Sequence, residues 1–141
     1  PNADSYHGIT LDYRSRDEVL PFVNEHDMAF LPYSPIMQGL LSDSYDPGAV
    51  AAGDVRRANP KLFGPNAALY ADAATRLHEV AREMGRPLEQ IAVNWLAAQP
   101  GMGPVIAGAE TAEQVEATAG AGAWELTTDE LATVTEAATI T

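Results

Sequence analysis

Apolar positions along this chain follow two different patterns. Met28-Ala29-Phe30-Leu31 and Val105-Ile106-Ala107 are short unbroken runs without polar alternation. Such runs predict strands buried on both faces, here about Met28 to Tyr33 and Pro104 to Ala107. Elsewhere the period is helical. Leu69, Tyr70, Ala73, Leu77, Val80, Ala81 and Met84 predict a helix capped by Asn66 and stopped at Gly85. Pro87 at the first helical position starts another, with Leu88, Ile91, Ala92, Trp95 and Leu96 inward, and Pro100-Gly101 ends it. Three capping boxes mark further helices. Ser15 to Glu18 opens one that runs through Val23, with Pro21 tolerated near its start. Thr111 to Gln114 opens one that reaches about Ala119, before Gly120-Ala121-Gly122. The third, within Leu126 to Leu131, carries a staple of Leu126 on Leu131.

The remaining segments have no period. Pro1 to Tyr13 reads as loop. Ser42 to Pro65 is rich in Gly, Pro, Asp and Asn, with a possible helical turn at Ala49 to Ala52, and is too long for an ordinary connection. Loops of that length are functional lids or disordered. The sum is an α/β chain, helix-rich, with about two parallel strands and five helices. Two strands with open edges and two faces to cover do not make a sheet, so the architecture looks incomplete.

Composition narrows the function. A net charge of −12 argues against nucleic acid or an anionic membrane as partner, because both require clustered Lys and Arg. Any phosphate ligand needs a locally positive site against that background field. There are no cysteines, so disulfides and thiolate metal sites are excluded. His7, His26 and His78 share no metal-ligand spacing, and there is neither a Ser-His-Asp set nor an HExxH motif. No secretory core or bilayer-spanning apolar run is present, so the expectation is a soluble, cytoplasmic protein.

Chemistry is expected where the first strand ends. Tyr33-Ser34-Pro35 forms a hydroxyl-bearing turn that runs to Gly39, where backbone can approach a ligand. Parallel α/β proteins place ligands at such carboxyl ends.

Tyr33-Ser34-Pro35-Ile36-Met37-Gln38-Gly39-Leu40-Leu41 resembles the seventh-strand loop of the aldo-keto reductases. That loop usually reads tyrosine-serine-proline-leucine, two variable residues, then glycine-leucine-leucine. Val105 to Ala109 with Glu113-Gln114-Val115 is similar to the eighth strand and following helix. Asp54 to Pro60 and Leu88 to Leu96 fall in family order too. The resemblance implies the C-terminal part of a TIM (β/α)8 barrel, covering residues 1–141, with a long lid-like loop at about 42–65 and the N-terminal half absent. A whole barrel needs about 250 residues, and this chain has 141.

The resemblance implies a nucleotide site. Tyr33 would stack its ring on a nicotinamide, although by itself, without the resemblance, the residue reads first as a core tyrosine. Ser34, Ile36, Gln38, Gly39 and Leu40 match the loop around a cofactor pyrophosphate, a turn whose N–H groups face an anion. Gly108, Ala109, Glu110 and Gln114 lie where a helix N-terminus receives the adenosine end. The sequence departs from the family there. Gly108, Thr111 and Gln114 occupy the usual basic positions, Glu110 adds a carboxylate, Thr118 replaces an adenine-contacting asparagine, and Ala117 replaces its acidic neighbour. Asp43-Ser44-Tyr45 stands where glycine-lysine-tyrosine is common. Arg56, Arg57 and Lys61 are the cations left in the lid, with Arg57 the candidate phosphate contact; as surface charges they are unremarkable. Glu110 can repel a 2′-phosphate and accept from a ribose 2′-OH, or simply favour the helix dipole while Thr111 acts as N-cap. NADP or NAD is therefore the expected cofactor, with weaker preference for NADP than the family norm.

No catalytic residue is carried over. The family's Asp, Tyr, Lys and His lie upstream of anything in this chain. The expectation is the cofactor-binding part of an NAD(P)H-dependent enzyme that reduces aldehydes or ketones, inactive alone. Two alternatives are a non-catalytic nucleotide-binding or regulatory subunit, and one chain of a split barrel whose partner is an N-terminal half.

Overall fold

The computed structural model describes residues 19–140. The Ser15 capping box, His7 and the loop expected before Tyr13 lie outside those residues.

Two extended segments run parallel at the centre. Phe30 pairs with Met102 and Tyr33 with Ile106 as isolated bridges, not as continuous strands. Phe30 N–H donates to Gly101 O at 3.0 Å, Gly103 N–H to Phe30 O at 2.7 Å and Ile106 N–H to Pro32 O at 2.8 Å. Pro32 has no N–H to extend the ladder, and Pro104 interrupts the facing segment. The expectation of strands buried on both faces fails. Met28, Leu31, Tyr33 and Ile106 are all more than half exposed. One face of the pair packs on helices, and the other is bare among the described residues.

The helices are α1 (Leu20–Glu25), α2 (Pro60–Phe63), α3 (Ala67–Met84), α4 (Leu88–Ala97), α5 (Ala112–Ala119) and α6 (Thr128–Ala137). α2 was not expected. Its Asn59 N-cap accepts from Lys61 N–H, and Pro60 fits the first turn. Gly64 ends it because any Cβ there would strike the Pro60 backbone. α3 ends at Gly85 in the left-handed conformation, as its sequence predicts. Asn66 occupies that helix's N-cap, but its side chain makes no capping hydrogen bond. Pro87 is the N-cap of α4 in extended conformation, one position earlier than expected. Both described capping boxes form with reciprocal hydrogen bonds, Thr111 with Gln114 and Thr127 with Glu130.

The loop from Ser42 to Pro65 is not irregular. Short 3₁₀ turns at Pro47–Ala49 and Val55–Ala58 precede α2. Asp46, Asp54 and Asn59 each accept a backbone N–H two residues ahead, which closes each turn locally. Polar composition hid these turns because none has an apolar face of its own.

The main core joins α3, α4 and α6 through Leu77, Ala81, Leu88, Ile91, Val134 and Ala137. Alanines at the contacts let the helices approach closely. Trp95 Nε1–H donates to Thr135 Oγ1 at 2.8 Å, tying α4 to α6. Arg76 of α3 donates to Ala137 O and Thr139 O, placing a cation on the negative end of α6. A second cluster of Leu40, Leu62 and Ala74, with Tyr45 and Tyr70 beside it, anchors the Tyr33–Leu41 loop to α2 and α3.

Gln90 of α4 links three elements: its Nε2 donates to Ala117 O at 2.8 Å and its Oε1 accepts from Trp124 Nε1–H at 3.0 Å. Gln90→Ala leaves both partners unmet in a half-buried seam. It should cost about 1–3 kcal/mol, read as a lowered urea midpoint with unchanged m-value. An unchanged midpoint would show that water replaces both bonds.

Candidate functional site

The parallel pair sends both of its carboxyl ends to the same side of the molecule. Tyr33 is bridged to Ile106, so Ser34-Pro35 and Ala107-Gly108 emerge together. Tyr33 presents a half-exposed ring at that edge.

After Tyr33 the chain turns in an uncommon way. Ser34, Met37 and Gln38 have φ of 56°, 47° and 57°, and Gly39 has 103°. Left-handed backbone disfavours side chains other than Gly, Asn and Asp, so three such residues here mark local strain. The loop's own hydrogen bonds hold it. Met37 N–H donates to Ser34 O, Gly39 and Leu41 N–H to Ile36 O, Leu40 N–H to Met37 O, and Ser42 N–H to Gly39 O. Most of the N–H groups expected to face an anion thus close turns inside the loop. Ile36 is half-buried and Leu40 buried, which places the loop's apolar side on the second core cluster.

Gln38 is pinned from the lid. Asn59 Nδ2 donates to Gln38 Oε1 at 2.9 Å while Asn59 Oδ1 receives Lys61 N–H at 3.0 Å. Asn59 and Lys61 are both buried. Tyr33, Ser34, Gln38, Asn59, Lys61 and Tyr70 together form one wall of a largely apolar cavity of about 560 Å³. The cavity continues past Leu88 and Ile91 of α4 to Val134 of α6. Burial pushes the Lys61 ammonium down to about 8.

The second constellation is exposed. Gly108, Ala109, Glu110 and Gln114 all face solvent, and Thr118 is half-buried with its hydroxyl donating to Gln114 O. The donors at the start of α5 are already engaged by the chain. Glu110 N–H and Thr111 N–H donate to Gln114 Oε1 at 2.6 Å and 3.3 Å, and Gln114 N–H to Thr111 Oγ1. The Glu113 carboxylate, held low by its own backbone N–H and by Thr111, adds negative charge there. Thr111 is thus an N-cap first.

The arginines are engaged as well. Arg56 makes a two-pronged pair with Asp54, Nε to Oδ1 at 3.0 Å and Nη2 to Oδ2 at 2.6 Å. That pairing holds Asp54 at about 2 and raises Arg56, whose charge also feels Glu110 across the site. Arg57 donates to Val50 O and Ala51 O and lies over the Phe63 ring at 4.9 Å. In place of the family's lysine, Asp43 lies 3.4 Å from His78 Nδ1. Glu110, Glu113 and occupied guanidiniums suit a hydroxyl that can donate, and repel a dianion. No cluster of metal-ligating side chains occurs among the described residues.

The model of the aldo/keto reductase family matches residues 5–139. This chain belongs to that family. The aldo/keto reductase assignment agrees with relatives in both sequence and structure. A probable voltage-gated potassium channel subunit beta of Arabidopsis thaliana is 31% identical over 109 residues, covering 74% of this chain and 33% of the relative. The aldo-keto reductase YhdN of Bacillus subtilis is 28% identical over 116 residues, covering 81% and 35%. A glycerol dehydrogenase of Gluconobacter oxydans superposes with a TM-score of 0.74 at 26% identity, covering 87% of this chain and 38% of that one. The holo form of an aldo-keto reductase of Bacillus halodurans gives 0.65 at 26% identity, covering 91% and 40%. The chain therefore spans about a third of the length of the curated relatives it matches, and its fold is part of a (β/α)8 barrel.

Sequence reasoning missed Asn59, which fixes both Gln38 and the start of α2. The Asn59-Pro60 pair is a helix-start signal that the surrounding polar residues obscured. It also placed Lys61 among surface cations, whereas Lys61 is buried.

The ammonium of Lys61 yields a pH prediction. In the folded chain it releases its proton near 8, whereas the unfolded chain retains it to 10.5. The unfolded state binds more protons between those values, so stability should rise as pH increases through that window. Urea midpoints measured between pH 7 and pH 9.5 should climb in the native sequence and stay flatter in Lys61→Met. A midpoint that falls equally in both contradicts the desolvated amine.

Proposed function

We propose that this chain is the nucleotide-binding C-terminal part of an oxidoreductase that uses NADH or NADPH to reduce an aldehyde or ketone to an alcohol. The Tyr33–Ile106 bridge is the observation that carries this reading, because it brings the two loops with cofactor-binding character to one edge. The nicotinamide, when bound, supplies the hydride. This chain's residues bind and orient. The Tyr33 ring offers a flat face for stacking. Ser34, Ile36, Gln38, Gly39 and Leu40 shape the loop around a pyrophosphate. Gly108, Ala109, Glu110, Gln114 and Thr118 line the adenosine end, and Arg57 fixes the lid turn at Val50 and Ala51. The proton donor to the carbonyl oxygen is supplied from outside this chain, which alone should be inactive. A cytoplasmic location fits this chemistry.

A second reading is a split or partnered barrel. The bare row of Leu31, Tyr33 and Ile106 supports it, because a barrel covers that face with further strands. A relative described as a probable voltage-gated potassium channel subunit beta supports the other alternative, a regulatory subunit or non-catalytic nucleotide-binding module. Mixing the chain with an N-terminal barrel half and following NAD(P)H oxidation with a generic aldehyde separates the two: turnover supports the split enzyme, and cofactor binding without turnover the module.

Specificity follows from Glu110. With the barrel complete, NADH and NADPH should bind with dissociation constants within about tenfold of each other, read by fluorescence titration. Glu110→Ala should shift the ratio towards NADPH. NADPH bound more than about tenfold tighter, with the ratio untouched by Glu110→Ala, contradicts this reading.

A further inference from the structure

Three segments meet at Asn59. Its backbone N–H donates to Arg56 O at 3.0 Å and closes the Val55–Ala58 turn. Its side-chain Oδ1 accepts Lys61 N–H at 3.0 Å and opens α2. Its Nδ2 donates to Gln38 Oε1 at 2.9 Å, across 21 residues of sequence. At 9% exposure the residue is largely out of water, so losing the Gln38 acceptor leaves a buried donor unmet.

The acceptor end of that bond is under strain. Gln38 has φ 57° and ψ 32°, and Met37 before it has φ 47°. Residues with a Cβ avoid this left-handed region, and the cost persists only while the surroundings impose it. Relaxing Gln38 to right-handed backbone re-aims its side chain, and Oε1 leaves Asn59. The lost bond opposes that step and the released strain favours it, which is the balance a two-state element needs. Leu40 and Leu62 are buried in one cluster. They anchor loop to lid and confine the movement to Ser34–Gly39 on one side and Asp54–Asn59 on the other.

We propose that the Gln38–Asn59 hydrogen bond is a latch that makes the Ser34–Gly39 loop and the lid open as one unit. With Gln38 in place, one buried amide holds the Val55–Ala58 turn and the start of α2 together. With Gln38 released, that amide turns to solvent and both ends of the junction loosen. Where the loop carries a nucleotide, as proposed above, occupancy of the loop and order of the lid are linked.

The test is amide hydrogen exchange on the unliganded chain, where the latch can fail without touching the nucleotide reading, and the reverse. Gln38→Met keeps the length of the side chain and removes the acceptor, leaving the α2 N-cap intact. The N–H groups of Lys61, Leu62 and Phe63 all donate to Asn59. Their exchange should quicken at least about threefold in Gln38→Met, while amides of α6 keep their rates. Gln38→Glu, which retains an oxygen acceptor, should keep native rates throughout. If the methionine variant misfolds, Gln38→Gly fits the left-handed backbone without strain and should give the same acceleration. Native rates at Lys61, Leu62 and Phe63 in Gln38→Met or Gln38→Gly overturn the proposal. So does an acceleration that α6 shares, or one that Gln38→Glu also shows.

Discussion

Three backbone hydrogen bonds hold this molecule's functional edge together. They join Phe30 and Pro32 to the segment from Gly101 to Ile106, and they fix two chain directions as parallel. Parallel segments require a long crossover between them, and everything from Ser34 to Pro100 is that crossover. The lid, α2, α3 and α4 are therefore constrained to leave and return at opposite ends of a very short ladder. Because both segments point the same way, the loops after Tyr33 and after Ile106 are neighbours without any contact designed between them. If the pair were antiparallel, Gln38 and Glu110 would lie at opposite ends of the molecule.

Strength elsewhere compensates for so small a ladder. The core between α3, α4 and α6 buries Leu88 and Ile91 almost completely, and each such side chain contributes on the order of 2 kcal/mol by leaving water. Helix ends are stabilised locally, by the capping boxes at Thr111 and Thr127 and by Arg76 on the carbonyls after α6. The helical layer can thus hold its shape while the other face of the parallel pair stays exposed, which is the condition of a partial barrel.

The helical layer was legible because 3.6-residue periodicity, capping boxes and Gly85 each have a local physical cause. The parallel segments were legible in place but not in burial. An unbroken apolar run such as Met28 to Leu31 signals two covered faces only where covering elements pack on both, and among the described residues only one face is packed. The lid was misread for a different reason. Asp46, Asp54 and Asn59 look like loop composition, yet each nucleates a turn by accepting one N–H. At the site, charge type could be read from sequence, but charge pairing could not: nothing in Asp54-Val55-Arg56-Arg57 tells that one guanidinium closes on the aspartate and the other on two carbonyls. An acidic chain that engages its arginines internally leaves the start of α5 negative, and that outcome is tertiary.

Amide hydrogen exchange at Gly103 and Ile106 tests the parallel pairing most directly, since their N–H groups donate to Phe30 O and Pro32 O. The pairing predicts that both exchange at least about tenfold more slowly than in an unstructured peptide, because each amide is held by a backbone carbonyl of the facing segment. Exchange of both amides at the unstructured rate, with α3 and α4 still protected, would contradict it: the helical layer would then stand without the ladder that brings the two loops together.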